Sequence, residues 1–182
     1  MAENGFDIAF TPAVQAQQQR LGSRAGFVRR QQQGRGFATL VDDQLGTFLA
    51  GIDSVFLATA SADGRPYIQH RGGPKGFIRV LAPDLLGFAD FSGNRQYITI
   101  GNLAENDRAF LFLMDYRHQR RVKLWGRAWA DESADAIARV ALPDYPARVE
   151  RAIHFRLLAW DVNCPSHIPL RLDLDEALSI SP

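Results

Sequence analysis

Cationic and amide side chains form three short clusters, each at a predicted turn or strand end. Glycine lets a ligand approach the main chain closely, and arginine can bind two oxygens of one phosphate group. Each cluster alone is more typical of a solvated turn than of a ligand site. If one compact barrel brings the three clusters together, an anion pocket is as good an interpretation as three solvated turns. Residue type alone does not decide between the two. The clusters are Gln69 to Gly76, which contains the break Gly72-Gly73-Pro74, then Asn94-Arg95-Gln96, and Arg117 to Arg121.

Other familiar chemical motifs are missing from the chain. We find no GxGxxG after a predicted strand, no P-loop and no GxSxG. Cys164 and His167 lie three apart, but no second Cys/His pair accompanies them, so we predict neither a metal site nor a cysteine nucleophile there. The single cysteine excludes an intrachain disulfide and fits a reducing compartment.

Composition is that of an ordinary globular protein. Of 182 residues, 46% are hydrophobic and 23% charged, and the formal net charge of +1 gives no bulk electrostatic case for nucleic acid or membrane. No apolar run approaches the ~20 residues of a membrane span, and the N-terminus lacks the pattern of a secretory signal. We therefore expect a cytoplasmic protein without a membrane partner.

Residues 1–40 are predicted to be a polar N-terminal arm with one short helix, which begins at Pro12 and ends before Gly22. The following Gln-, Arg- and Gly-rich segment, Arg29 to Gly36, has little to bury. It is either a solvated arm or an arm that wraps a partner subunit or closes over a site. Residues 41–182 form the second predicted unit.

The pattern of this second unit is mainly β. Asp42 is a plausible N-cap for a helix from Asp43 to Ala50. Further short helices are expected near Asn94–Leu103 and at Ser133–Ala141. We predict a six- to seven-stranded antiparallel split β-barrel with short flanking helices. Its strands are predicted at Val55–Ala60, Tyr67–Arg71, Phe77–Leu81, Leu85–Phe91, Ala109–Met114, Val122–Ala130 and Ala152–Val162.

The order of these pieces resembles a known family. A strand with Arg71 and Lys75, the turn Ser92–Gln96, an apolar strand and the segment Arg120–Gly126 resemble the pyridoxamine 5′-phosphate oxidase-like family over about residues 40–170. Its members are split-barrel flavoproteins that bind FMN at a homodimer interface. The segment Trp160–Pro169 is similar to a branch described as flavin-nucleotide-binding.

The resemblance implies FMN as cofactor, a homodimer, and roles for individual residues. Arg71 and Lys75 would reach phosphate or ribityl oxygens, while Gln69 and His70 would lie beside the isoalloxazine edge. Arg121 would meet the ring from the second subunit. The full set of implied cofactor-binding residues is Gln69, His70, Arg71, Lys75, Phe91, the phosphate turn Asn94, Arg95 and Gln96, then Arg121, and Trp160 and His167, which would close the site.

This chain also departs from the family pattern. Gln96 replaces a lysine, Arg121 replaces a glutamine, and the tail offers only Pro169-Leu170-Arg171 where the oxidase has Arg-Leu-His-x-Arg. We therefore expect an FMN-binding oxidoreductase of an unidentified small molecule, and not the vitamin B6 enzyme. One alternative is a flavin carrier without turnover. The other, a nucleic-acid-binding barrel, is disfavoured because Phe and Tyr do not interleave with the basic residues.

Overall fold

The computed structural model describes residues 5–162 and 166–172. Within this part of the chain, seven antiparallel strands form one sheet. The helices are α1 (Gly5–Ala9), α2 (Pro12–Arg20), α3 (Arg24–Gln32), α4 (Asp43–Gly51), α5 (Ile98–Glu105) and α6 (Ala134–Val140). The strands are β1 (Ser54–Ala60), β2 (Pro66–Gly72), β3 (Arg79–Ala82), β4 (Leu85–Phe91), β5 (Arg108–Asp115), β6 (Arg120–Asp131) and β7 (Val149–Val162).

The strand order in the sheet is β2-β1-β5-β6-β7-β4-β3, which confirms the predicted mainly β split-barrel fold. Alternate residues of each strand point to opposite faces, so one row of side chains fills the interior. On β1 this row is Val55, Leu57 and Thr59, all buried. The register places Gln69 opposite Leu57 and Arg71 opposite Val55. The row of β2 that contains Gln69 and Arg71 therefore continues the interior row of β1.

Helix α4 packs into this interior. The Asp42 side chain accepts a hydrogen bond from the Leu45 backbone N–H at 2.9 Å, as predicted from its position before the helix. Leu45, Phe48 and Leu49 are buried in the main hydrophobic core. The capped helix thus fixes the chain immediately before β1, and its C-terminal half lines a cavity together with Lys75.

The N-terminal arm is more ordered than its composition indicates. Besides the predicted α2, it contains α1 and α3, and neither α2 nor α3 has a buried residue. Four phenylalanines hold the arm together, and one of them stacks on the Trp125 ring at 5.3 Å between centroids. Because aromatic pairs add stability beyond their buried area, this cluster attaches the arm to β6. Its members are Phe6, Phe10, Phe27 and Phe37.

Helix α5 and strand β3 begin two or more residues later than predicted. Helix α5 begins at Ile98 and not near Asn94, because Arg95 and Tyr97 adopt left-handed backbone conformations (φ 59° and 53°). Strand β3 begins at Arg79, since the turn from Pro74 to Phe77 occupies the residues before it. No helix in the described part of the chain is long and apolar enough to cross a membrane.

Candidate functional site

A cavity of about 210 Å³ lies where β2 approaches β4 and β7, and we call it the seam cavity. The turn between β4 and α5 forms its mouth. Six of the eleven predicted cofactor residues line it, so the structure brings Gln69 and Arg71 of the first polar cluster together with the whole of the second. These six are Gln69, Arg71, Phe91, Asn94, Arg95 and Gln96.

The turn before α5 lines the mouth of this cavity, and within it the Gln96 backbone N–H donates to Asn94 Oδ1 at 3.2 Å. Arg95 and Tyr97 are left-handed, and residues of alternating handedness turn successive N–H groups toward one side. The N-cap residue of α5, Tyr97, makes no side-chain capping bond. The first N–H groups of α5 therefore have no side-chain cap, and a helix end of this kind favours an anion. Arg95 itself is exposed and has no carboxylate partner among the described residues.

Side-chain hydrogen bonds fix α5 against β1 and β2. The Thr99 hydroxyl donates to Gln69 Oε1 at 2.8 Å, and Asn102 Nδ2 donates to Thr59 Oγ1 at 3.0 Å. Thr99 is only 2% exposed. Gln69, which sequence reasoning placed beside a flavin ring, thus has one polar atom committed to positioning the helix whose N-terminus forms the cavity mouth.

An ion-pair network closes the seam beneath the cavity. Asp90 on β4 is 4% exposed and pairs with Arg71 of β2 through Nη1 and, at 2.6 Å, with Arg151 of β7. Arg151 also contacts Glu132 at 3.2 Å and Glu150 at 3.3 Å. Burial would lower the pKa of Arg151, but the Asp90 and glutamate partners outweigh it and raise that pKa, which keeps the guanidinium charged.

Arg71 is only partly satisfied by this network. Its Nη1 is held by Asp90, while its Nε is buried and has no hydrogen-bond partner. A buried donor without a partner costs roughly 1–3 kcal/mol. Arg71 therefore both ties β2 to β4 and retains one donor that an anion in the seam cavity could satisfy.

The other five predicted residues lie elsewhere. His70 and Arg121 are on the outer face of the sheet, opposite Phe56 and Met114 respectively. Trp160 is buried, and its indole N–H donates to the Leu40 carbonyl at 2.9 Å. Lys75 lines a second cavity, and His167 is exposed with φ 65°. Cys164 lies outside the described residues.

Sequence reasoning missed several residues of the seam cavity, most importantly Asp90 and Arg151. A single carboxylate in the otherwise apolar strand LLGFADF was a usable signal, because a buried charge requires a partner. The pairing partner was not readable, since Arg151 comes 61 residues later. No group of three or more His, Cys, Asp or Glu in the described residues is placed to hold a metal ion. The other missed residues are Tyr67, Gly93, Tyr97, Ile98, Thr99, Ile100 and Glu150.

Comparison with known proteins decides the family. The family model described as pyridoxamine 5′-phosphate oxidase matches residues 41–159, about two thirds of the chain. The chain belongs to the pyridoxamine 5′-phosphate oxidase family. The matched range runs from two residues before α4 to near the end of β7, so it contains both β2 and the turn before α5. No curated protein shows a significant match to the chain.

Solved structures share the fold of this family member. A candidate pyridoxamine 5′-phosphate oxidase from Lactobacillus delbrueckii superposes with a TM-score of 0.51 at 20% identity, covering 68% of this chain and 95% of that one. HupZ from Group A Streptococcus gives a TM-score of 0.50 at 13% identity, covering 67% and 94%. A variant of HupZ gives the same TM-score at 12% identity, covering 68% and 99%. At these low sequence identities, the similarity shows a shared fold and nothing more specific.

Proposed function

We propose that this protein binds FMN, with the phosphate at the mouth of the seam cavity, and that it acts as an oxidoreductase on a small organic molecule. The observation that carries the proposal is the turn from Asn94 to Tyr97. Its two left-handed residues, the uncapped start of α5 and the exposed Arg95 together form an anion site. This turn lies at the position of the phosphate-binding turn that the family resemblance implies.

The residues present fit the phosphate end of such a cofactor. Arg95 offers a guanidinium without a carboxylate partner among the described residues. Arg71 offers its buried Nε, which has no hydrogen-bond partner. Asp90 and Glu150 also line the cavity, but each is paired with Arg151. The negative charge that would oppose a phosphate is therefore already balanced within the chain.

FMN, when bound, supplies the redox chemistry, and the chain need only bind and orient it. Thr99 and Gln69 hold α5 in place and thereby fix the direction of its N-terminal N–H groups. The Arg71–Asp90 pair keeps β2 beside β4 and so preserves the shape of the cavity. Arg95, at the exposed mouth, is the residue whose charge we expect to distinguish a phosphorylated flavin from riboflavin.

A second copy of this chain is the proposed partner, bound on the outer face of β2, β1 and β5. This face carries the half-buried rings of Phe56, Phe110 and Phe112, and Ile68 is 59% exposed beside them. Exposed apolar side chains grouped in this way mark interaction surfaces. Phe112 pairs with Phe56 across the two strands, so the rings form one continuous patch.

The same face carries two of the predicted flavin residues that the seam cavity does not contain. His70 lies opposite Phe56, and Arg121 lies opposite Met114. Neither side chain lines the seam cavity of its own chain. A homodimer across this face would give both side chains a route to the cofactor of the other subunit, as the family resemblance implies for Arg121.

The cofactor proposal is tested with the purified protein and added flavins. Flavin absorption bands near ~375 and ~450 nm report the bound cofactor. Arg95→Gln should weaken FMN binding roughly 10- to 150-fold, because it removes one charge-assisted contact, while riboflavin binding should stay unchanged. Arg65→Gln, on the exposed β1–β2 turn, is the matched control. Equal losses for FMN and riboflavin would contradict a phosphate role for Arg95, and a protein that ignores FMN would end the proposal.

Turnover and assembly have their own measurements. Loss of the ~450 nm band on adding NADH or NADPH would support an oxidoreductase, whereas bound FMN that neither nucleotide reduces would indicate a flavin carrier. Ile68→Glu should convert a dimer to a monomer in analytical ultracentrifugation. Val80→Glu, at a position 47% exposed on β3, is the control that should not. A wild-type monomer at micromolar concentration would contradict the proposed interface.

A further inference from the structure

Positive charge is concentrated in the N-terminal arm. Five of the 21 basic residues and none of the 20 acidic ones lie between Ile8 and Val41. The formal net charge of +1 is therefore the balance of an arm with +5 and a remainder with −4. Such an asymmetry within one chain indicates a segment that binds a polyanion. The basic residues of the arm are Arg20, Arg24, Arg29, Arg30 and Arg35.

Four of these five arginines are exposed, and we call residues 12–35 the α2–α3 hairpin. The exposed four have no carboxylate partner among the described residues. The fifth, Arg24, is half-buried, and its guanidinium donates to Gln18 Oε1 at 3.3 Å and to Gln15 Oε1 at 2.8 Å. Arg24 therefore joins α3 to α2, whereas the other four arginines keep their charge available to a partner.

Backbone hydrogen bonds fix the two ends of the hairpin at which the exposed arginines lie. Gly34, at φ 68°, ends α3, and the Arg35 N–H donates to the Arg30 carbonyl at 2.8 Å. This bond to the carbonyl five residues earlier is a Schellman arrangement, and it holds Arg35 beside the last turn of α3. Gly22, at φ 82°, makes the corresponding turn after α2. The basic surface is therefore ordered before any partner binds.

Aromatic contacts attach the hairpin to the barrel. Phe27, on the inner side of α3, packs edge-on against Phe6 and Phe10, at 6.0 and 4.9 Å between ring centroids. Just after this cluster, the Trp160 backbone N–H donates to the Ala38 carbonyl at 2.8 Å. The rings of the cluster are thus committed to holding the arm on the barrel. They do not stand on the exposed side, where they could stack on the bases of a single strand.

The exposed side of the hairpin combines arginine with amide side chains. Gln17 and Gln19 of α2 are exposed, and so are Gln32 and Gln33 at the end of α3. Arginine and glutamine are among the side chains that hydrogen-bond to phosphate oxygens along a nucleic-acid duplex. Such contacts need no base stacking. They therefore suit a double strand, whose bases are paired and stacked internally, better than a single strand.

An anionic membrane is the competing partner for a basic pair of helices. A helix that lies on a membrane inserts a continuous apolar face. The apolar side chains of α3, Phe27 and Val28, are half-buried. Val14 and Leu21 are exposed, at 38% and 68%, but they stand about two helical turns apart. The hairpin thus presents charge without a continuous apolar face to insert, which favours nucleic acid over a membrane.

We propose that the exposed side of the α2–α3 hairpin binds double-stranded nucleic acid through its phosphate backbone, without sequence preference. The four exposed arginines bind phosphate oxygens, and the neighbouring glutamines donate further hydrogen bonds. DNA and RNA duplexes offer the same phosphate chemistry, so the test includes both. The polar clusters of the barrel take no part, and the proposal does not require that the seam cavity bind FMN.

The test measures binding of the full chain to fluorescently labelled DNA and RNA duplexes by fluorescence anisotropy at several salt concentrations. Four phosphate contacts predict that the logarithm of the association constant falls against the logarithm of the salt concentration with a slope of about −3.6. The affinity should therefore fall about 150-fold between roughly 50 and 200 mM salt. A second duplex of unrelated sequence should bind with the same affinity, because phosphate contacts carry no sequence information.

A double variant of α3 and a charge-matched control identify the surface. Arg29→Gln combined with Arg30→Gln removes two contacts, so the slope should change to about −1.8 and the affinity should fall only about 12-fold over the same salt range. Glutamine is a comparable helix former and both positions are exposed, so the circular dichroism spectrum should not change. The control, Arg65→Gln combined with Arg79→Gln, removes the same charge at exposed positions of the barrel and should keep the wild-type slope.

Four outcomes would overturn the proposal. Equal changes of slope in the two double variants would show that the charge of the whole chain, and not the hairpin, decides binding. Tighter binding to a thymidine oligonucleotide than to either duplex would show that bases are stacked. Binding to phosphatidylserine vesicles but to neither duplex would place the arm on a membrane. No duplex binding at roughly 50 mM salt with up to about 100 μM protein would show that the arm is only solvated.

Discussion

The stability of the barrel depends on one buried carboxylate, that of Asp90, which is the centre of the ion-pair network beside the seam cavity. The Asp90 side chain is 6% exposed and joins Arg71 and Arg151, whose side chains are 14% and 11% exposed. Replacement of Asp90 by Asn removes the charge but keeps the shape of the side chain. Arg151 would still contact Glu132 and Glu150, whereas Arg71 has no other carboxylate partner in the described part of the chain.

The expected cost follows from this difference. Removing one partner of a buried ion pair costs about 3–5 kcal/mol, because the remaining charge loses its compensation. Since Arg151 keeps two partners, we expect Asp90→Asn to lower the free energy of unfolding by about 3 kcal/mol, near the lower end of this range. This is a large part of the roughly 5–15 kcal/mol that stabilises a domain.

The assay is urea unfolding followed by the fluorescence of the three tryptophans. Adding Arg71→Gln to Asp90→Asn should cost less than the sum of the two single replacements, because the double variant leaves no uncompensated arginine on β2. Asp63→Asn is the control, since its side chain is 58% exposed and its pairing with Arg65 at the surface contributes about 1 kcal/mol or less. If Asp90→Asn costs no more than Asp63→Asn, or if the two seam replacements are additive, the reasoning is refuted.

Two further perturbations test the packing and the pH response. Gly126→Ala would place a methyl group 2.5 Å from the Phe155 ring, so we expect a cost of about 1–3 kcal/mol or more in urea unfolding. The methyl group added by Gly101→Ala on α5 has no other atom within 4 Å, so this replacement should stabilise the protein by up to about 1 kcal/mol. If both glycine replacements destabilise the protein, the packing argument is contradicted. His154 is 4% exposed, and burial lowers the pKa of its ring. The stability that comes from keeping this ring neutral is therefore fully present above pH ~6.5, and it is lost as the pH falls through the lowered pKa. Unfolding free energies at pH 7.5 and pH 5 should therefore differ less in His154→Gln than in the wild type.

Much of the barrel follows from local patterns. The period of two residues in a strand places Gln69 and Arg71 on the same face of β2, and the register of β2 against β1 makes that face the inner one. The N-cap at Asp42 was also readable, since a cap depends only on the next three residues. The start of α5 could not be predicted correctly, because no local pattern indicates the left-handed conformations of Arg95 and Tyr97.

The sequence by itself thus determined the strands and the three polar clusters, and the family resemblance added the cofactor proposal. Only the tertiary structure decided which clusters meet. Arg71 and Lys75 are four residues apart, yet the Gly-Gly-Pro break separates them so that they line different cavities. Arg71 and Asp90 are 19 residues apart and Asp90 and Arg151 are 61 apart, yet they form one ion-pair network. Such contacts depend on strand order and on how the barrel closes, and no local periodicity records either one.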